Sequence, residues 1–240
     1  MNRAMFASAS GMVAQQQNLD VVADNLANAD VAGFKGAQAT FAAIGGNAQL
    51  GTAAAGVREN VAQGKLMKSG GAFDVAIDGG GFFQVVRDGE RAYTRAGAFA
   101  RAADGTLRNA DGWMLQGVRF GANARDVTVA PDGAVRVAVD RGAIHVAGRI
   151  VLATFDAPEK LRPIGSAIFA ATAGSGGARA LPAGGDRQPK LVFGMLEKSN
   201  VSIVESMMAI LAAQRAYEAN AKGVQAADEM LRIANNIHRS

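Results

Sequence analysis

The chain has 240 residues, 49% of them hydrophobic, with 25 Lys and Arg against 21 Asp and Glu. Zero cysteine excludes disulfides, thiolate catalysis and cysteine-based zinc or iron–sulfur sites, and His145 and His238 are too few for a His-rich metal site. No run approaches the roughly 18 consecutive apolar residues of a membrane span, and the first residues lack the basic start and apolar run of a secretory signal. Aromatics make up only 6%, which is poor for base-stacking or sugar-stacking surfaces. The basic residues are scattered singly, which reads as a solvated surface rather than a nucleic-acid footprint.

Residues 1–30 read as a helix. Met5, Met12, Leu19 and Leu26 recur every seven residues, with polar Gln15 to Asn18, Asp20 and Asp24 on the flanks. A strip that narrow, with a period near 3.5, suits a coiled-coil partner better than a broad globular core. The helix should stop near Asn28, because Asn-Ala-Asp, Gly33 and Gly36 are poor helix interior. Residues 31–72 read as an extended linker or β-arm region, with 45–56 as loop.

Residues 73–196 read as an antiparallel β domain. Five Asp-Gly pairs, beginning at Asp78, Asp88, Asp104, Asp111 and Asp132, supply the φ > 0 positions of tight turns between short β-prone runs. Residues 145–155 look like one longer strand. Residues 174–190 hold so much Gly and Pro that a mobile loop is expected.

The last segment, 197–240, mirrors the first. Ile203, Ile210, Tyr217, Val224 and Leu231 repeat every seven residues, and three residues after each come Ser206, Ala213, Asn220, Ala227 and Ala234. Bulky residues alternating with small ones let a second helix approach closely. Ser199 or Asn200 is the expected N-cap. A helix from Val201 to Ile237 would be roughly 55 Å long, more than a globular helix needs. The chain is thus expected to be α+β: an antiparallel all-β central domain flanked by long N- and C-terminal helices that pair as a coiled coil.

Catalytic templates are missing. There is no G-x-S-x-G and no P-loop, and the glycines at 79–81 precede a strand rather than a helix. His145 reads as a strand position rather than a general base, and His238 as a solvated residue in the terminal turn. Asp74 and Asp78 flank a strand and a turn, Trp113 is a core or hairpin aromatic, and Met207-Met208 is helix packing. No catalytic, cofactor or metal residues emerge.

Four stretches then stand in order: NLDVVADNLANADVAGFKG (18–36), DVAIDGGGFFQV (74–85), YTRAGAFARAADGTLRNADGWMLQG (93–117) and SNVSIVESMMAILAAQRAYEANAKGVQAADEML (199–231). Together they resemble the bacterial flagellar basal-body rod protein family of the FlgF/FlgG type, which is related to the flagellar hook protein. The resemblance singles out Asn25, Leu26, Asn28, Gly33 and Phe34, then Ser199, Asn200, Val201, Arg215, Tyr217 and Glu218. It implies a structural, non-enzymatic subunit of the hollow axial shaft, with paired terminal helices lining a central export channel. Partners would be copies of itself, other rod and hook subunits and the flagellar export apparatus. No cofactor, nucleic acid, small-molecule substrate or direct membrane insertion is implied. The place would be the basal body, in the rod crossing the periplasm, reached without a cleaved signal peptide. Gln214 to Glu218 resemble the distal-rod subunit. The short stretch between Phe41 and Val57 departs from it, and Gly194 to Glu197 and the overall length resemble the proximal one. Both stay open, with a hook subunit or another secreted fibre subunit with coiled-coil ends as alternatives.

Overall fold

The computed structural model describes residues 3–45, 51–121, 124–138, 144–165, 167–185 and 188–237. These form two units, the first built from residues 1–27, 37–58 and 201–240, the second from 28–36 and 59–200.

The first unit holds helix α1 (Arg3–Ala27), strands β1 (Ala37–Ile44) and β2 (Gly51–Glu59), and helix α2 (Ile203–Ile237). The two strands form a two-stranded ribbon, although β2 begins inside a stretch whose glycines and alanines read as loop. Its anchor is on α1: Ser10 Oγ accepts the Thr52 amide, and a Cβ at Gly51 would fall 2.8 Å from the Phe6 ring. Helix α1 ends where the Asn-Ala-Asp run begins. Helix α2 starts later than expected, with Ser202 as its cap: Ser202 Oγ accepts the Glu205 amide at 3.3 Å. Asn200 cannot serve there because its side chain is bonded elsewhere in the second unit.

The second unit holds β3 (Leu66–Lys68), β4 (Val75–Asp78), β5 (Phe82–Arg87), β6 (Glu90–Thr94), β7 (Ala100–Arg101), β8 (Thr106–Arg108), β9 (Met114–Arg119), β10 (Arg125–Val129), β11 (Ala134–Ala138), β12 (Ile144–Arg149), β13 (Leu152–Thr154), β14 (Arg162–Gly165), β15 (Ile168–Ala170), β16 (Arg179–Leu181), β17 (Lys190–Phe193) and β18 (Met195–Glu197). The main sheet runs β10-β11-β12-β9-β5-β6-β15-β14, while β17 pairs with β4 and β18 with β3. These strands pair antiparallel.

Strand β5 shows why the sheet is sandwiched. Phe83 and Val85 point into one core with Phe99, Leu107, Leu115 and Ile168. Phe82 points the other way, into a second cluster with Tyr93, Phe155, Leu161 and Phe169. Period-2 alternation with both faces apolar buries a strand on both sides.

The Asp-Gly positions behave as the local chemistry demands. All five glycines have positive φ, between 78° and 117°. Three of the turns repeat one design. The amides of Ala102, Asn109 and Ala130 donate to the carbonyls four residues on, and the glycine amide donates back to the first carbonyl. Two expectations change. Residues 145–155 divide into β12 and β13, because the Ile150 amide turns aside to the Gly133 carbonyl and the two strands join different neighbours. The stretch 174–190 carries β16, which pairs with β13.

Candidate assembly face and ionic joint

In the first unit α1 packs on α2. The helices run antiparallel: a Cβ at Gly11 would fall 2.8 Å from Asn220 Nδ2, and one at Gly223 would fall 2.7 Å from Ser8 Oγ. Ala14, Ser206, Ala213 and Ala227 are buried. The close contact therefore runs along the small residues of α2. The bulky positions flank it: Met5, Met12, Leu19, Leu26, Ile210 and Val224 are half-buried, while Ile203, Tyr217 and Leu231 stay exposed. On the far side of α2, at about 100° per residue, Val204, Met207, Met208 and Leu211 lie uncovered at 54–67% exposure.

Asn25, near the end of α1, grips the backbone of Ala37 with both halves of its amide, accepting from its N–H and donating to its carbonyl, each at 2.7 Å.

The second unit contains a buried ionic joint. Glu197, fully buried on β18, accepts from Lys35 Nζ at 2.5 Å and from Arg95 at 3.2 Å. Its Oε1 also accepts the Gly64 amide. Lys35 Nζ donates further to the Ala62 carbonyl, and Arg95 to the Gly79 carbonyl. Burial lowers the pKa of both cations, and the Glu197 charge opposes that shift. Removing one partner from such a group costs about 3–5 kcal/mol, since a buried charge is left uncompensated.

Glycines let the backbones meet at this joint. Gly33 has φ +71°, and a Cβ there would overlap the Ala96 amide nitrogen. Its own amide donates to the Glu197 carbonyl. A Cβ at Gly64 would overlap the Lys198 carbonyl. Asn200 closes the joint: its Oδ1 accepts the Gly36 amide, and its Nδ2 donates to the carbonyls of Asn60 and Ala62.

Three family models match the chain. Residues 5–35 match "Flagella basal body rod protein", residues 76–137 "Flagellar hook protein FlgE/F/G D1 domain" and residues 193–237 "Flagellar basal body rod FlgEFG protein C-terminal". A flagellar basal-body rod protein FlgG of Borreliella burgdorferi is 36% identical over 100% of both chains. One from Agrobacterium fabrum is 35% identical over 97% of this chain and 98% of its own. The chain belongs to the flagellar basal-body rod protein family. A FlgF of Caulobacter vibrioides is 32% identical over 98% of this chain and 97% of its own. With FlgG relatives matching end to end at up to 36% identity, this rod protein is a FlgG-like structural subunit of the flagellar basal body.

The residues singled out by sequence divide into two groups in this rod protein. Gly33 and Asn200 meet at the ionic joint, and Phe34, between Gly33 and Lys35 in the chain, is buried. Leu26 is half-buried, Asn28 accepts the Val31 amide in the turn after α1, and Ser199 and Val201 lead from the joint to α2. Arg215, Tyr217 and Glu218 stand exposed on α2. His145 is an exposed residue of β12, and His238 lies outside the described residues. Asp74 is buried and accepts the Ser69 hydroxyl, while Asp78 is exposed beside Gln63. Sequence reasoning missed Lys35, Arg95 and Glu197, although Lys35 and Arg95 stood in quoted stretches, at Gly-Phe-Lys and Tyr-Thr-Arg, and Glu197 lies just before the last one. Lys35 and Arg95 are single charges beside apolar or glycine neighbours, but Glu197 precedes Lys198, and nothing local says that the three share one site.

Proposed function

We propose that this rod protein polymerises through α1 and α2 into the hollow axial shaft of the flagellum, at the distal-rod position. There it transmits torque and surrounds the export channel. The helices pair as a coiled coil whose closest approach follows Ser206, Ala213 and Ala227, with Met5, Met12, Leu19, Leu26, Ile210 and Val224 flanking it and Ile203, Tyr217 and Leu231 left for neighbouring copies. Asn25 secures the end of α1 within the first unit, and Gly33 and Asn200 hold the joint of the second unit together. Arg215, Tyr217 and Glu218 face neighbouring copies or other rod and hook subunits. The subunit reaches the rod in the periplasm through the flagellar export apparatus.

The observation that carries this reading is the uncovered apolar surface of α2. Its small-residue face is already taken by α1, yet Val204, Met207, Met208 and Leu211 remain bare on the other side. Covering each such side chain contributes roughly 1.5–3 kcal/mol, and exposed apolar surface on this scale marks an interaction site. Head-to-tail contacts between copies that do not close into a ring generate a helical filament. Many such contacts in parallel carry torque better than a single strong one.

The test is Leu211→Asp. The residue is 55% exposed in the single subunit, so the purified variant should show the circular dichroism and melting curve of the wild type. In cells it should fail to enter the rod and abolish swimming, because assembly would bury an unpaired carboxylate. Normal swimming would remove α2 as the assembly element.

A further inference from the structure

The second unit connects to the rest of the chain at Asn28, Gly36, Glu59 and Asn200, and the residues at or beside the last three of those ends are fastened together. The Gly36 amide donates to Asn200 Oδ1 at 2.8 Å, the Asn60 amide to the Gly36 carbonyl at 2.7 Å, and Asn200 Nδ2 to the Asn60 carbonyl at 2.7 Å. Immediately behind this ring sits the ion triad.

The members of the triad come from far apart. Glu197 lies 162 residues from Lys35 and 102 from Arg95. Lys35, Arg95 and Glu197 are 1%, 4% and 0% exposed. Without the carboxylate, two cations would be buried side by side with no anion. With it, Arg95 Nε is the one buried side-chain polar atom left without a partner among the described residues. An apolar trio of similar volume would hold these segments equally well. It would also tolerate a slipped or half-formed arrangement, which two buried cations do not.

We propose that Glu197 is the bolt of a closure latch. The ends of the second unit fasten only when the C-terminal segment carries this carboxylate between the Lys35 ammonium and the Arg95 guanidinium. When that segment is missing or displaced, the joint stays open while the sheet behind it remains formed. Four amides report the latch: Gly33 bonded to the Glu197 carbonyl, Gly36 to Asn200, Gly64 to Glu197 Oε1, and Lys198 to the Lys65 carbonyl. The latch makes them one cooperative opening unit.

Native-state hydrogen exchange of the full-length protein tests this. In the wild type the four amides should open together, in a step below global unfolding and separate from the amides of β5 and β9. Glu197→Gln keeps an acceptor for the Gly64 amide but removes the charge, and should lower protection of all four amides by roughly two to four orders of magnitude while β5 and β9 keep theirs. The triple change Lys35→Met, Arg95→Met and Glu197→Leu should restore protection of Gly33, Gly36 and Lys198, since no bare cation remains, while Gly64 stays unprotected because its acceptor, Glu197 Oε1, is gone. The latch is wrong if Glu197→Gln leaves the four amides protected, or if the triple variant loses protection of Gly33, Gly36 and Lys198 as Glu197→Gln does. It is equally wrong if the wild-type amides open independently or only together with β5 and β9. The wild-type measurement decides the matter even if Glu197→Gln fails to fold.

Discussion

At Asp104 a single carboxylate organises a turn. Its Oδ1 accepts from both the amide and the hydroxyl of Thr106, and its Oδ2 accepts from Arg108. Those hydrogen bonds hold its pKa well below the usual carboxylate range, and the Ala134 amide and Arg149 do the same more modestly for Asp132. A carboxylate whose folded pKa is depressed contributes its stability above the unfolded value of about 3.9 and loses it as pH falls toward the folded value. The melting temperature should therefore fall as pH drops below about 4, and Asp104→Asn should flatten part of that fall. Melting curves between neutral and strongly acidic pH would show it, and an identical slope in the variant would rule it out. Phe83 works by volume instead. It is fully buried and meets Phe99 edge-on at 5.6 Å, so Phe83→Ala should cost about 3–5 kcal/mol in a denaturant titration. The turns were legible in sequence because Asp-Gly acts within four residues. The cap of α2 was not: Ser199, Asn200 and Ser202 are all acceptable caps, and the choice turns on Asn200 being engaged by Gly36, Asn60 and Ala62.

Among the elements, helices and hairpin strands could be read from the chain, and the strands that depend on distant partners could not. Both helices carry their period in their own residues, and α1 ends where its sequence stops favouring helix. Strand β16 has too little apolar content to declare itself and exists because β13 lends it a ladder. Strand β2 likewise depends on β1 and α1. The helix pair shows a subtler gap. Its bulky heptads drew the eye, but the closest approach follows the small residues that accompany them. Gly11 tests that geometry. Gly11→Ala would gain about 1 kcal/mol of helix propensity and push only the mobile tip of Asn220, so helix content should hold or rise. Gly11→Leu should force the helices apart and lower the ellipticity and melting temperature of the full-length protein. Gly70→Leu, at a position with no neighbour within 4 Å, is the matched control. Equal behaviour of the two Leu variants would mean that α1 does not depend on close contact with α2.

For the whole molecule, the division into two units makes a prediction about what each can do alone. Residues 28–200 contain every residue of the second unit, including both apolar clusters and the complete ion triad. None of these features draws on α1 or α2. A fragment spanning 28–200 should therefore fold with one cooperative thermal transition. Trp113, 3% exposed with the Arg87 guanidinium 4.5 Å above its ring, should give the same near-ultraviolet signal as in the intact chain. The fragment lacks the two helices and their uncovered apolar face, so it should be well folded yet unable to restore swimming in cells without the full-length subunit. The converse fragment has less to hold it. Its described residues in the first unit bury few side chains beyond Ala14, Ser206, Ala213 and Ala227, and small residues bury little apolar area. Those helices should gain most of their stability when neighbouring copies cover Val204, Met208 and Leu211. Hydrogen exchange on α2 should then rise in protection by orders of magnitude between free subunit and assembled rod, while exchange in β5 and β9 changes little. Equal protection of α2 in both states would mean the helix pair is already complete in the monomer and that assembly uses another surface.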